Sequence, residues 1–160
     1  MKKLLSVAVY CSSSNKVRTS YMDAAEQLGR ILAEAGIRLV YGDGGIGLMA
    51  AVAKGALDAG GEVLGVIPQF MVDQGWNNPR SSQTIITQTM HERKSTICEV
   101  SDAMVPGLPG HICHLQRDWG QHHGKLLCFA ERLLGNVEML LAVSARPQKN
   151  ARGAHRPALN

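Results

Sequence analysis

Up to about residue 105, the chain alternates short apolar runs with amphipathic stretches, and this alternation restricts the possible folds more than any other feature. The apolar runs have the length of strands, and the stretches between them repeat apolar residues at helical spacing. Strands that alternate with helices of about 10–15 residues form parallel βαβ units, so we predict an α/β fold with an open parallel sheet. The predicted strands are 4–10, 37–41, 63–68, 85–87 and 103–105, and the predicted helices are 21–35, 48–59 and 90–100.

The pattern changes after Val105. Five of the six histidines follow this residue, and residues 110–125 have neither a strand period nor a helix period. Residues 126–143 have helical spacing, so we predict one domain over residues 1–143, whose last strand and helices the sequence does not define. The last fifteen residues carry four basic residues and no acidic one, which accounts for the whole excess of 17 basic over 13 acidic residues. We interpret residues 144–160 as a basic, disordered tail.

Charge and hydropathy argue against two classes of partner. The rest of the chain has no net charge, so it offers no electrostatic basis for binding nucleic acid. No run approaches the ~20 apolar residues of a membrane span, and we interpret the apolar N-terminal run as a buried strand rather than a signal peptide. The cysteines form no CxxC pair, which is typical of reduced thiols in a cytoplasmic protein. They are Cys11, Cys98, Cys113 and Cys128.

A glycine-rich loop between the second predicted strand and the second predicted helix is the first candidate site. Glycines there let backbone N–H groups approach a phosphate or a ribose, and the helix N-terminus favours an anion. The spacing fits neither the dinucleotide-binding motif nor the P-loop, so a tight strand–helix turn remains an alternative. Asp43, inside the loop, tolerates positive φ better than most residues. The candidate binding residues of this loop are Gly42, Gly44, Gly45 and Gly47.

Two further segments carry polar groups that suit an anionic ligand. Ser12 and Ser13 follow the first predicted strand, where hydroxyls can hold a phosphate or a ribose; the alternative is a polar turn. Thr89 is a predicted N-cap, after which Met90 to Lys94 open the third helix. Two cations so near a helix N-terminus oppose the macrodipole unless an anion binds there; the alternative is a solvated charged face.

The histidine-rich stretch after residue 110 holds donor types that zinc uses. The donors are His111, Cys113, His114, His122 and His123. Their spacing is not that of a zinc finger and no apolar scaffold surrounds them. We therefore predict no metal site in this stretch.

Five segments, in this order and spacing, resemble the cytokinin riboside 5′-monophosphate phosphoribohydrolases. The first runs from Val9 to Ser14, and the second, Tyr41-Gly42-Asp43-Gly44-Gly45-Ile46-Gly47-Leu48-Met49, resembles the family's YGGGxxGLM. The others are Gly65-Val66-Ile67-Pro68, Met90-His91-Glu92-Arg93-Lys94 and Ser101-Asp102-Ala103. They span residues 1–105, about two thirds of the chain.

The resemblance implies a Rossmann-like fold with helices on both faces of the sheet, assembled as a homodimer. It implies hydrolysis of the N-glycosidic bond of a nucleoside 5′-monophosphate, such as AMP or a cytokinin riboside monophosphate, to free base and ribose 5-phosphate. It implies that the reaction needs no metal and no organic cofactor. Arg93 then corresponds to the family's catalytic arginine. The implied substrate-binding residues are Ser12, Ser13, Gly42, Gly44, Gly45, Gly47, Met90, Lys94, Pro109 and Gly110.

The chain departs from the family where the second catalytic residue is expected. The family continues after its SDA segment with PGGxGTxEE, whereas this chain reads Pro109-Gly110-His111-Ile112-Cys113, without the threonine or either glutamate. Glu99 and Asp118 are the nearest carboxylates, and Asp73 is nearest to another family glutamate. Three interpretations remain open: a phosphoribohydrolase, a nucleotide-binding pseudoenzyme, and an interaction protein. We also hypothesise a reading-frame change near codon 106, which an uninterrupted genomic frame shared by homologues would refute.

Overall fold

A computed structural model describes residues 4–106 of the chain. The strands are β1 (Ser6–Tyr10), β2 (Arg38–Tyr41), β3 (Val63–Pro68), β4 (Gln83–Thr87) and β5 (Ala103–Pro106), and the helices are α1 (Thr19–Glu34), α2 (Gly47–Asp58), α3 (Gln69–Asp73) and α4 (Met90–Glu99). The strands form one sheet in the order β4-β3-β2-β1-β5, and every pairing is parallel. This confirms the predicted α/β fold with an open parallel sheet. No helix within these residues is long and apolar enough to cross a membrane.

The first four strands follow one another across the sheet, and the chain then returns to place β5 beside β1. The strand order therefore reverses between β1 and β5. In open α/β sheets, ligands bind at such a reversal, outside the carboxyl ends of the strands. The loops that follow the strands are consequently the part of the fold where a site is expected.

One face of the sheet is covered by α1 and α2, which pack against each other and against the strands. Gly29 of α1 lies against the backbone of Val52, and Gly55 of α2 lies against the backbone of Glu26, so closely that a Cβ at either glycine would overlap a carbonyl oxygen. Small residues let two helix backbones approach closely. The two helices therefore form a compact layer over the larger part of the core.

The opposite face carries a smaller core beneath α4. Ile97 and Cys98 of this helix pack over Ala8, Val40 and neighbouring strand residues. Helices thus lie on both faces, as the resemblance implied. Each described core residue on this face comes from a strand or from α4, so α4 is held firmly where its N-terminus meets the carboxyl edge of the sheet.

Asp102 fixes the position of β5 at the amino end of the sheet. Its Oδ2 accepts hydrogen bonds from the backbone N–H of Leu5 and of Ser6 and from the Ser6 hydroxyl, each at 3.1 Å. The neighbouring Ser101 is buried and donates to the carbonyl of Ile97 at 2.6 Å. The Ser101-Asp102 pair therefore joins α4 and β5 to β1, which is a structural role.

The structure refines several predicted boundaries. The fourth strand begins at residue 83 rather than 85, and the polar segment 69–82 contains the short helix α3. The N-terminal apolar run is a strand inside the sheet, as predicted. Within residues 4–106, neither Cys11 nor Cys98 forms a disulfide bond. The predicted helix over 126–143 and the predicted basic tail lie outside the described residues.

Candidate active site

The guanidinium of Arg93 is buried at the carboxyl edge of the sheet. Its Nε donates to the carbonyl oxygen of Val66 at 2.9 Å, and its Nη2 donates to the carbonyl oxygen of Gly42. Its Nη1 faces two thioether sulfurs, that of Met71 at 3.8 Å and that of Met90 at 3.7 Å. Thioether sulfur is a weak acceptor, so Nη1 retains the capacity to donate to a ligand oxygen.

The surroundings of Arg93 have opposing effects on its pKa. Burial lowers its pKa, and electrostatic interactions with Tyr10 and Asp43 raise it. A guanidinium nevertheless remains protonated at physiological pH. The strand ends thus hold a permanent cation, and its Nη1 faces only weak acceptors among the residues that the structure describes. This arrangement suits an anionic or electron-rich oxygen ligand.

Gly42 allows Arg93 to lie against the backbone of the glycine loop. A Cβ at this position would overlap Nη2 of Arg93 and would lie 2.7 Å from the terminal methyl group of Met49. Gly44 also lies against the side chain of Met49, because a Cβ at this glycine would be 2.5 Å from the Met49 sulfur. Gly42 and Gly44 therefore leave space for the side chains of Arg93 and Met49.

The serine run and the glycine loop contact each other directly. The backbone N–H of Gly47 donates to Oδ1 of Asn15 at 2.9 Å, and that of Met49 donates to the carbonyl of Ser12 at 3.3 Å. Gly47 has a φ of +65°, and a Cβ there would lie 2.7 Å from the backbone of Ser13. The structure thus brings the two predicted binding segments together. Two N–H groups at the start of α2 are occupied by this contact rather than directed at solvent.

The remaining predicted glycine of the loop faces the segment after α3. The N–H of Gly45 donates to the carbonyl of Trp76 at 3.0 Å, and Gly44 forms an antiparallel bridge with Asn77. The carboxylate of Asp73 accepts from the side-chain amide of Gln69 at 2.8 Å within α3. The segment after α3 therefore contacts the glycine loop through backbone hydrogen bonds.

A capping box forms the start of α4. The Thr89 hydroxyl accepts from the N–H of Glu92 at 3.1 Å, and the Glu92 carboxylate accepts from the N–H of Thr89 at 3.3 Å and of Gln88 at 2.7 Å. This confirms the predicted N-cap. Glu92 also supplies a negative charge in the first turn, which the macrodipole argument from the two cations did not include. Lys94 is half-buried, and within residues 4–106 no hydrogen bond joins it to the glycine loop.

Asp43 is wholly buried, with a positive φ of 56°. Its carboxylate accepts hydrogen bonds from the Ser81 hydroxyl at 2.5 Å and from the hydroxyls of Tyr41 and Thr84 at 3.3 Å each. Gly65 leaves the space for this carboxylate, because a Cβ at that position would overlap it. The glycine of the Gly65-Val66-Ile67-Pro68 segment therefore makes room for an acidic side chain from the neighbouring loop.

The surroundings of Asp43 have opposing effects on its ionisation. Burial raises its pKa, whereas the hydroxyl donors and the positive charge of Arg93 lower it. Burial also raises the pKa of Tyr41 above its usual range. The Asp43 side chain itself is enclosed, so it does not reach a ligand bound outside the strand ends.

The other sequence candidates have no described catalytic placement. Burial raises the pKa of Cys11 to about 12, so its thiol is protonated at neutral pH. Glu99 is at the far end of α4 from Arg93 and accepts from the Ser95 hydroxyl at 2.8 Å. Pro109, Gly110 and Asp118, with the histidine-rich stretch, lie outside the described residues. Within residues 4–106, no group of histidine, cysteine and acidic side chains could hold a metal ion.

The sequence profile of the SLOG cluster4 family matches residues 4–112 of the chain, more than half of its length. The chain belongs to this family. The matched region begins in front of β1 and includes Arg93, all five strands and the start of the segment in which the expected PGGxGTxEE motif is missing.

Curated relatives of this SLOG cluster4 protein are named as phosphoribohydrolases. The cytokinin riboside 5′-monophosphate phosphoribohydrolase LOG of Oryza sativa subsp. japonica is 40% identical over 104 residues, which cover 65% of this chain and 43% of the relative. LOG5 of Arabidopsis thaliana, which has the same descriptive name, is also 40% identical over 104 residues, covering 45% of its length. The chain thus spans less than half the length of these two relatives.

Solved structures share the fold. The X-ray structure of TM1055 has a TM-score of 0.57 and 27% identity, covering 67% of this chain and 62% of that chain. The molybdenum cofactor carrier protein of Chlamydomonas reinhardtii has a TM-score of 0.63 and 18% identity, covering 88% of this chain and 99% of that chain. At 18% identity, the similarity to the carrier protein shows a shared fold and nothing about function.

Sequence reasoning missed three features of the SLOG cluster4 site. The carbonyl of Val66 and the thioether of Met71 carry no sequence signal that relates them to Arg93. The sequence indicated only that Asp43 tolerates positive φ. An acidic residue at a glycine position of a loop that follows a buried strand was the signal that could have identified the buried network.

Proposed function

We propose that the chain binds a nucleoside 5′-monophosphate, such as AMP or a cytokinin riboside monophosphate, at the carboxyl edge of the sheet and belongs functionally to the phosphoribohydrolases. The observation that carries the proposal is the buried guanidinium of Arg93, whose Nη1 faces two thioether sulfurs among residues 4–106. The names of the curated relatives support the substrate class.

In this proposal, Arg93 donates from Nη1 to an oxygen of the nucleotide and thereby orients the sugar. Cleavage of the N-glycosidic bond places positive charge on the ribose, and a nearby carboxylate stabilises such an oxocarbenium-like transition state. Water completes the reaction by adding to the anomeric carbon while the base departs with a proton. The fixed hydrogen bonds of Nε and Nη2 keep the guanidinium in place during these steps.

The reaction also needs a carboxylate beside the ribose, and the acidic residues considered for this role are engaged elsewhere. Asp43 is enclosed, Glu92 is used in the capping box, and Glu99 lies at the other end of α4. None of these three carboxylates therefore takes the place of the glutamate that the family supplies from PGGxGTxEE, and Asp73 accepts from Gln69 within α3. We accordingly propose weak or no turnover for this chain, with nucleotide binding without hydrolysis as the second candidate function.

The assembly and location of the protein are proposed on the same basis. We expect a homodimer in the cytoplasm that uses neither a metal nor an organic cofactor, and that binds neither nucleic acid nor a membrane. An interaction role for residues 126–143 stays a hypothesis. Association that depends on protein concentration, with no effect of nucleotide on thermal unfolding, would support that hypothesis over a nucleotide site.

A product assay tests the proposed activity. The purified chain is incubated with AMP or with the N6-isopentenyl riboside monophosphate, and free base is separated from nucleotide by chromatography. We expect base release to be slow and to disappear in Arg93→Ala. The matched control is Arg30→Ala, which removes an exposed arginine of α1. Release that persists in Arg93→Ala would contradict the role of Arg93, and nucleotide binding without release would favour the second candidate function.

A further inference from the structure

Asp43 stands at a position where the resembling pattern, YGGGxxGLM, has glycine. Its backbone has a φ of 56°, a conformation that L-residues rarely adopt. A non-glycine residue held there, with no exposed surface, is strained by about 1 kcal/mol or more unless its side chain compensates. The side chain must therefore provide something that a glycine would not.

The carboxylate of Asp43 gathers hydroxyl groups from separate segments. The Ser81 hydroxyl, in the loop before β4, donates at 2.5 Å, and the Thr84 hydroxyl of β4 donates to the other oxygen at 3.3 Å. Tyr41, the last residue of β2, lies 2.8 Å from the Ser81 hydroxyl and 3.3 Å from the carboxylate. The backbone carbonyl of Asp43 accepts from the N–H of Asn78 at 2.9 Å. Both its backbone and its side chain therefore join the glycine loop to the segment before β4.

Asp43 also acts on Arg93 by two routes. The residue directly before it, Gly42, supplies the carbonyl to which Nη2 of Arg93 donates, so an anchored Asp43 fixes that acceptor. The electrostatic interaction between the two groups, which lowers the pKa of Asp43 and raises the pKa of Arg93, acts in the same direction as the anchoring.

We propose that Asp43 is a positioning residue for Arg93: it anchors the glycine loop and thereby fixes the Gly42 carbonyl that accepts from the guanidinium at the strand ends. The proposal rests on the proposed function in that Arg93 is taken as the residue that meets the nucleotide. Asp43 does not touch substrate. Asp43 instead determines the orientation in which Nη1 of Arg93 faces the nucleotide.

The test compares Asp43→Asn with Asp102→Asn. Both changes remove the charge of an aspartate that accepts several hydrogen bonds, but Asp102 lies at the amino end of the sheet, away from Arg93. The first measurement is the side-chain Nε–H signal of Arg93 in a ¹H–¹⁵N NMR spectrum, assigned by its absence in Arg93→Lys. We expect Asp43→Asn to abolish the slowly exchanging signal or to shift it, and Asp102→Asn to leave it in place.

A second measurement connects positioning with function. If the chain hydrolyses AMP, we expect Asp43→Asn to lower kcat by up to about 100-fold with a smaller change in KM, as misplacement of a catalytic group does. If Asp43→Asn does not fold, Ser81→Ala replaces it, with the same direction of change in the NMR signal. An unchanged signal in the Asp43 or Ser81 variant, or an equal change in Asp102→Asn, would overturn the proposal. A chain that binds no nucleotide would overturn the proposed function, while the NMR comparison would still decide the role of Asp43.

Discussion

The two ends of the sheet each hold an aspartate that joins separate segments, and the two aspartates use different partners. At the amino end, Asp102 accepts mainly from backbone N–H groups of Leu5 and Ser6. At the carboxyl end, Asp43 accepts from side-chain hydroxyls and lies near a buried cation. Backbone donors are present in almost any sequence, so the first arrangement specifies strand register. Side-chain donors must each be encoded, so the second specifies a site.

This difference indicates which positions can be substituted without affecting the others. At the amino end, Asp102 accepts the hydrogen bonds from Leu5 and Ser6, and Ser101 makes a separate hydrogen bond to Ile97. At the carboxyl end, the size of residue 65, the acidity of residue 43 and the cation at residue 93 depend on one another. Substitutions at these positions, alone and in pairs, test whether the residues depend on one another.

The largest effect is expected from Gly65→Ala. The added methyl group would overlap the buried Asp43 side chain, and overpacking of this kind costs about 3 kcal/mol of unfolding free energy. Urea denaturation measures the loss. Because the contacts nearest to that methyl group all belong to Asp43, the double variant Gly65→Ala with Asp43→Gly should recover most of the stability. A double variant whose losses merely add would contradict the dependence of these two residues on each other.

Asp102→Ala is expected to lower the free energy of unfolding by about 2 kcal/mol, because it leaves the donors of β1 without their acceptor. Since the carboxyl end does not depend on it, the Nε–H signal of Arg93 should be unchanged in the folded protein. Denaturation and NMR on the same sample check both statements. A displaced Arg93 signal would show that the two ends are coupled, against the comparison.

Replacement of Asp43 by the glycine of the resembling pattern has a smaller expected effect. Asp43→Gly loses the accepted hydrogen bonds but relieves the positive φ, so it should be about 1 kcal/mol more stable than Asp43→Ala, which keeps the strain. Both variants lose the same hydrogen bonds, so the difference between their stabilities in thermal unfolding reports the backbone strain. Equal stability of the two would indicate that the backbone at residue 43 is not strained.

The smallest effect concerns pH. Burial raises the pKa of Asp43 above its ordinary value of 3.8, so its contribution favours the folded state below that value and is lost as pH rises through the raised pKa. Asp43→Asn does not titrate. The stability of the unmodified chain relative to Asp43→Asn should therefore fall as the pH rises from below 3.8 through the raised pKa, measured by urea denaturation at several pH values. A relative stability that rises over this range would contradict the sign of the shift.

The sequence was sufficient for the elements whose pattern is periodic and local. The apolar strands and the helices with one apolar face were predicted to within a few residues, and the Thr89 cap followed from residue type and position. The segment 69–82 gave no prediction of α3 because a helix as short as Gln69–Asp73 presents no full period of apolar residues. The family itself was predicted from motif order, and the match over residues 4–112 confirms it.

The candidate site was predicted less completely, because its contacts join residues far apart in the chain. The sequence identified Arg93 and Gly42, but nothing in it indicates that the guanidinium of one donates to the carbonyl of the other. The same holds for Ser81 and Asp43, which are 38 residues apart. Periodicity reports which residues face a core, and it does not report which loops meet at the strand ends.

The central claim is that Arg93 forms a nucleoside monophosphate site, and isothermal titration calorimetry of the full chain with AMP tests it directly. We predict binding of AMP by the unmodified chain and by Arg30→Ala, and loss of that binding in a folded Arg93→Ala variant. Equal AMP binding with and without the Arg93 guanidinium, or no binding by the folded unmodified chain, would contradict the claim.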